Sequence, residues 1–378
     1  MESSIEQKTR YEEIIKETSR QLKICNACRY CEGFCPVWDA IEYRTEFNHV
    51  DIGYLSNLCH DCGQCFDVCP FVPPHEFSLD IPAALSEVRS YTYEEYSTPK
   101  VASRFFKNQF SLLAVTIGIS ILSVFGIYYF TGNPTRIISP ITGPGSFYVV
   151  LPNTVIDTAG ILLATFVIAV WLLSGVKLMR ATSNHKRIKF SDFFSALRES
   201  FAETWFKGGG AGCNYPERNS RGNRIRLYVH AFVFYGFILD LLSTISAFIE
   251  QEFGHILPPY AIISIPVILG LTGGILIITG VVFFFYYDLR ANGSKNNKMK
   301  IMDKTFLVTL LLTALTGILL LSLRNTVFMG SLLVIHVSFV GVLFVTAPYG
   351  KFIHFVYRYL SMIRYHQEKR AFEQRNGT

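Results

Sequence analysis

The sequence predicts a mainly α protein in two unequal parts, a cysteine-rich helical domain followed by a six-helix transmembrane bundle. Three observations carry that reading. Eight of the nine cysteines lie before residue 107, six long apolar runs fill residues 110 to 349, and basic residues crowd alternate loops between those runs. The expected boundaries are a cluster-binding domain over residues 1–107, a membrane domain over 108–360 and a tail over 361–378.

Composition sets the frame. Half of the 378 residues are apolar, with 32 Phe and 20 Tyr, too hydrophobic for an ordinary soluble domain. The excess begins abruptly between Tyr91 and Lys107. A net charge of +6 is modest and sits mainly in loops beside apolar segments, which argues against nucleic-acid binding and for a lipid bilayer. The N-terminal stretch MESSIEQKTRYEEIIKETSR has no apolar core, so it reads as a charged helix and not as a signal peptide. The first domain is then expected to remain where it is made, and its crowded cysteines to be metal thiolates in a reducing compartment.

The first cysteine run is Cys25-Asn-Ala-Cys28-Arg-Tyr-Cys31-Glu-Gly-Phe-Cys35-Pro36 and the second is Cys59-His-Asp-Cys62-Gly-Gln-Cys65-Phe-Asp-Val-Cys69-Pro70. Both have the spacing CxxCxxCxxxCP. Three thiolates at i, i+3 and i+6 wrap one face of a 4Fe-4S cubane, and the fourth reaches the neighbouring one. One cluster is therefore expected on Cys25, Cys28, Cys31 and Cys69, and the other on Cys59, Cys62, Cys65 and Cys35. Pro36 and Pro70 lack an amide donor and restrict the chain, which helps turn each fourth thiolate away from its own run. Zinc sites use paired CxxC units across a longer gap, so zinc is disfavoured. Pro36 to Leu58, between the runs, reads as helical or irregular, which favours an all-helical ferredoxin-like domain. His60 and His75 read as bystanders, since eight thiolates already satisfy two clusters.

The six expected spans are Phe110 to Phe130, Thr158 to Val176, Leu227 to Ile249, Pro259 to Tyr287, Thr305 to Leu323 and Thr326 to Tyr349. About 20 apolar residues cross the hydrocarbon core. Three basic residues precede the first span, eleven lie between Lys177 and Arg226, five between Arg290 and Lys304, and six from Lys351 onward. The alternate loops carry only Arg136 and Arg324. This asymmetry predicts a multi-pass protein of the inner (cytoplasmic) membrane with both termini and the clusters cytoplasmic.

Ionisable residues within or beside the spans are functional candidates, because polarity in lipid is costly. They are His230 and Asp240 in the third span, His336 in the sixth, and His354 on its extension. His336 and His354 are eighteen residues apart, roughly 27 Å of helical rise, so they cannot serve one haem. An antiparallel third and sixth helix would bring His230 and His354 to similar depth, where two imidazoles can hold a low-spin b haem. The alternative is that both are interfacial residues bonded to loop carbonyls. The run Gly208 to Gly212 lacks the Lys-Ser or Lys-Thr of a phosphate loop, so a tight turn is expected there. Cys213 reads as a packing residue.

These cysteine runs and spans resemble the citrate/tricarballylate-utilization protein B family, together with the loop Lys207-Gly-Gly-Gly-Ala-Gly-Cys213-Asn-Tyr-Pro216-Glu, the stretch Arg226-Leu-Tyr-Val-His230-Ala-Phe-Val-Phe-Tyr-Gly236-Phe and Ala347-Pro-Tyr-Gly-Lys-Phe-Ile-His354. The likeness runs from about Cys25 to Arg358. It implies a cytoplasmic flavoprotein partner, a tricarballylate dehydrogenase, whose electrons pass to membrane quinone. The membrane half is also similar to the cytochrome b subunit of respiratory nitrate reductases, where two haems use two histidines on one helix and two, eighteen apart, on another. Here Asp240 stands where a second histidine would be sought, so one haem b is expected.

The chain carries no flavin, molybdenum or pyridine-nucleotide motif, so the primary dehydrogenase is expected to be another chain. The leading expectation is an electron-transfer subunit using two 4Fe-4S clusters, one haem b and quinone. The alternatives keep the wiring with a heterodisulfide reductase-like or other organic-acid dehydrogenase complex, or make the chain a membrane-bound redox sensor.

Overall fold

The computed structural model describes residues 2–102, 108–131, 140–182, 187–207, 221–288 and 296–377. Among the described residues the regular structure is all helical, in accord with the mainly α reading.

The N-terminal domain contains α1 (Glu2–Cys28), α2 (Pro36–Glu42), α3 (His49–Leu58), α4 (Gln64–Asp67) and α5 (Ile81–Tyr96). Local chemistry starts these helices. Asn48 caps α3 by accepting from the Asp51 amide at 2.9 Å, and Asp80 caps α5 by accepting from the Ala83 amide at 3.0 Å. Such side chains satisfy amides that have no partner within the helix. Pro36 opens α2, where its missing N–H costs nothing. The core between α1, α2, α3 and α5 is apolar, with Leu22, Ile41, Ile52, Leu55, Leu58, Leu85 and Val88 buried.

The membrane part contains α6 (Gln109–Thr131), the short α7 (Ser146–Val150), α8 (Asn153–Thr182), α9 (Phe190–Phe201), α10 (Arg221–Glu252), α11 (Ile265–Asp288), α12 (Asn297–Leu323), α13 (Met329–Thr346) and α14 (Ile353–Asn376). Six helices are long and apolar enough to cross a membrane, and each overlaps one expected span. Side chains such as Leu122, Phe130, Leu162 and Ile265 point outward and are exposed, as lipid-facing residues of a bundle must be. The fourth span begins at Ile265 and not at Pro259, because Pro259 to Ser264 forms a turn before the helix. The fifth begins at Asn297, eight residues before Thr305, where Asn296 accepts from the Lys298 amide at 2.8 Å.

The sixth span is interrupted. α13 ends at Thr346, Ala347–Tyr349 form a 3-10 turn, and α14 starts at Ile353. Pro348 cannot donate to a carbonyl four residues back, so the helix breaks there. His336 and His354 therefore lie on separate helices, and their eighteen-residue spacing does not place them on one face.

α10 and α11 form an unusually close antiparallel pair. Gly236 of α10 faces the Gly273 carbonyl and the Ile277 amide of α11, where an added Cβ would lie 2.9 and 3.0 Å away. Gly280 of α11 meets Val233 in the same way at 2.7 Å. Helices in lipid gain association by close packing, which small residues permit. Gly236→Leu is expected to force these backbones apart and lower the detergent melting temperature, at a cost of roughly 1–3 kcal/mol. Gly118→Leu, at a site with open space around it, is the control. An equal effect of both would show that the close pairing is not what holds the helices.

The C-terminal helix α14 returns to the first domain. Residues after Ser361, set apart in the sequence as a tail, are its second half, and they bury Met362, Ile363 and Tyr365 in the core around Leu22, Ile41 and Leu55. Arg44 pairs with Glu368 at 2.6 Å, Arg364 with the same carboxylate at 3.1 Å, and Arg364 also with Asp51 at 3.6 Å. The Arg364 guanidinium lies 4.0 Å from the centre of the Tyr54 ring. Buried ion pairs fix geometry more than they add stability, so the apolar contacts supply most of the adhesion. α9 packs on the other side of α14 through Asp192 with Arg370 and through Glu199 with His366.

Candidate functional site

The two cysteine runs fold as reciprocal loops. In each, the residue after the second cysteine takes a left-handed conformation, with φ 56° at Arg29 and 74° at Gly63, and this reverses the chain so that the later cysteines turn back. Glycine adopts that conformation readily, whereas Arg29 does so against its Cβ. The fourth cysteine of each run goes to the other. The Cys25 thiol has Cys31, Cys69 and Cys28 as its charged neighbours, and burial together with these thiols pushes it above its ordinary value. Burial also raises Cys35, whose neighbours are Cys62 and Cys59. Cys65 is raised by burial and has Cys62, Cys59, Cys35 and also Cys31 of the first run near it. The fourth cysteine of each run thus approaches the other run, Cys69 near Cys25 and Cys28, and Cys35 near Cys59 and Cys62.

Backbone amides face several of these sulfurs. Cys35 is the N-cap of α2, its carbonyl accepts from the Trp38 amide at 3.0 Å, and its sulfur lies beside the amides of Val37 and Trp38. The Asp61 amide donates to Cys59 Sγ and the Phe71 amide to Cys69 Sγ, each at 3.4 Å. Amide donors and a helix N-terminus favour thiolate over thiol. Among the described residues, no three Cys, His, Asp or Glu side chains converge closely enough for a single ion. Four thiolates spread around a larger body suit a cubane, in which each binds its own iron. The donor set therefore fits two 4Fe-4S clusters.

The histidines fall into two groups. His354, at the start of α14, donates from Nδ1 to the Lys351 carbonyl at 2.6 Å. His230, on α10, has Nδ1 3.1 Å from Glu203 Oε1. A carbonyl or carboxylate at Nδ1 fixes the tautomer with the lone pair on Nε2, as in metal-binding imidazoles. His230 also lies near His354. His60, read as a bystander, joins this group. Burial, with Arg358, His230 and Arg89 nearby, holds it well below the ordinary imidazole range. His75 instead packs between Phe71 and Phe77, with ring centroids 5.0 Å from each.

His336 is elsewhere, with Nδ1 3.1 Å from Thr316 Oγ1 of α12 and its ring over Gly317, where a Cβ would lie 3.0 Å from Cε1. Asp240 faces α11, and its carboxylate occupies the space that a Cβ at Gly273 would need. These two residues thus contact different helices. The Gly208 to Gly212 run and Cys213 lie outside the described residues.

Sequence reasoning missed Glu203, Arg89 and Arg358. Glu203 sits at the turn after α9 with φ 46°, almost fully buried with its carboxylate on His230. No motif marks it. Arg358 lies four residues after His354, a spacing that puts both on one face of α14.

Two family models match the chain, one described as citrate utilization protein B over residues 107–375 and one as its Fer4-like domain over residues 18–95. The chain is 36% identical over 361 residues to citrate utilization protein B of Escherichia coli, covering 95% of this chain and 93% of that protein. No solved structure matches.

Proposed function

The chain belongs to the citrate utilization protein B family, and from that premise we propose that it is the membrane electron-transfer subunit of a quinone-linked oxidoreductase. It accepts electrons from a cytoplasmic flavoprotein dehydrogenase and delivers them to quinone. The observation that carries this reading is the crossed approach of the two cysteine runs beside His230 and His354.

The residues divide the work. The two sets of four cysteines each hold a 4Fe-4S cluster, with the amides of Val37, Trp38, Asp61 and Phe71 stabilising the thiolates. His230 and His354 would hold one haem b, oriented by Glu203 and by the Lys351 carbonyl. Such groups, when bound, supply one-electron carriers that link a two-electron flavin to a two-electron quinone. The relative's name concerns citrate utilisation, which supports a tricarboxylate, tricarballylate or a related organic acid, as the substrate of the partner dehydrogenase. The loop charges support cytoplasmic termini, which puts the clusters on the partner's side of an inner membrane. Asp240 and His336 remain candidates for the quinone end of the path, each by itself, since they do not meet.

The test is direct. The purified full chain is expected to contain about nine iron, about eight of them in two cubanes with about eight acid-labile sulfide and one in haem, and to show a low-spin b spectrum. Reduction by a flavoprotein dehydrogenase with its organic acid, followed by reoxidation with a short-chain quinone, completes it. Protein without iron, or reduced protein that quinone fails to reoxidise, would refute the proposal.

A further inference from the structure

Two arginines from distant parts of the chain converge on one carbonyl of the second cysteine run. Arg89 of α5, only 2% exposed, donates from Nη2 to the Cys59 carbonyl at 2.9 Å and from Nε to the Ser56 carbonyl at 2.7 Å. Arg358 of α14 donates from Nη2 to the same Cys59 carbonyl at 2.6 Å. Asp61 Oδ2 is 3.4 Å from Arg89 Nη1, and Asp303, also near Arg89, is paired with Lys351 at 2.6 Å. Among the described residues Arg89 and Arg358 thus set two cations against Asp61 beside Cys59, while Lys351 offsets Asp303. The first run has different surroundings: Cys28 is exposed, and Arg29 and Glu32 beside it are exposed as well.

Reducing a cubane held by four thiolates adds a negative charge to a group that is already negative. Burial opposes that addition, while fixed cations favour it, and in a low-dielectric interior their effect is larger than at a surface. We propose that Arg89 and Arg358 raise the reduction potential of the cluster on Cys35, Cys59, Cys62 and Cys65 above that of the cluster on Cys25, Cys28, Cys31 and Cys69. The set with the exposed Cys28 is then the outer one and the donor of the pair, and the arginine-clamped set is the inner one and its acceptor, with the gradient running from Cys28 toward the membrane helices. Arg358 is suited to this place. It stands one turn from His354 on α14 and neighbours both His354 and His60, so the same helix touches the inner cysteine run and the histidine pair. The inference rests on the two-cluster reading of the proposed function.

The experiment is a redox titration of the full chain in detergent, followed by electron paramagnetic resonance, with Cys28→Ala identifying the signal of the outer set by its loss. In the unmodified protein the inner cluster is expected to titrate at the higher potential. Arg358→Gln keeps a donor for the Cys59 carbonyl but removes the charge, and is expected to shift the inner midpoint alone to lower potential. Arg358→Lys should restore most of that shift, which a merely structural role would not require. Should Arg358→Gln fail to load the inner cluster, Arg89→Gln is expected to lower the inner midpoint in the same way. An inner midpoint unmoved by the charge removal, equal shifts of both clusters, or a higher outer midpoint in the unmodified protein would overturn the inference. Fewer than two clusters in the unmodified protein would instead overturn the reading beneath it, and that result is visible before any variant is compared.

Discussion

Cys35→Ser is expected to remove the cluster on Cys59, Cys62 and Cys65 while sparing the one beside it in sequence, so that acid-labile sulfide falls from about eight to about four per chain and iron by about four. The reason is the crossing of the runs. Cys35 has Cys62 and Cys59 as neighbours, and Cys69 stands with Cys25, Cys31 and Cys28. Serine keeps the size and the N-cap position before α2 but is a far poorer ligand for iron than a thiolate. Cys69→Ser should mirror the effect, removing the cluster on Cys25, Cys28 and Cys31. The two variants are then told apart by the Arg358→Gln shift, which should persist in Cys69→Ser and vanish in Cys35→Ser. If Cys35→Ser instead removed the signal assigned to Cys25, Cys28 and Cys31, each run would serve its own cluster.

His354→Ala is expected to abolish the low-spin b spectrum completely while leaving acid-labile sulfide unchanged and lowering iron only by the one atom of the haem, and His230→Ala should do the same. Two axial nitrogens must lie on opposite faces of one macrocycle at nearly equal depth. His230 is a neighbour of His354, whereas the ring of His336 rests on Thr316 and Gly317 of α12. His336→Ala should therefore retain haem, with any loss confined to quinone reduction. Glu203→Gln keeps an acceptor for His230 Nδ1 and should weaken haem retention less than either alanine variant, since outer partners of a ligand tune it without supplying the bond. Loss of haem in His336→Ala with normal haem in His354→Ala would reverse the assignment.

The parts of the fold that could be read in advance are those dictated by local chemistry. Each span announces itself by length and composition, because a bilayer accepts only a helix of about 20 apolar residues. Its ends were less legible. Capped by Asn296, α12 starts at Asn297, eight residues before the apolar run, since polar residues can extend a helix beyond the hydrocarbon core. Pro348 was a visible breaker, yet whether a helix bends or stops at proline depends on its packing. Here it stops, and α14 leaves in a new setting.

What the sequence determined by itself is the inventory of candidate residues: eight cysteines in two runs, each with a proline after its fourth cysteine, and histidines at 230 and 354. Those features depend on residue type and short spacing, which any fold of the chain must keep. Only the tertiary structure decided what surrounds them. It set α14 against the cluster domain through Tyr54, Arg44 and Asp51, turned Glu203 onto His230, drew His60 toward the histidine pair, and aimed Arg89 and Arg358 at one carbonyl across 269 positions of chain, residue 89 to residue 358. No spacing rule encodes such meetings, because they arise when helices remote in sequence bury their apolar faces together and carry along whatever polar side chains lie at the seam.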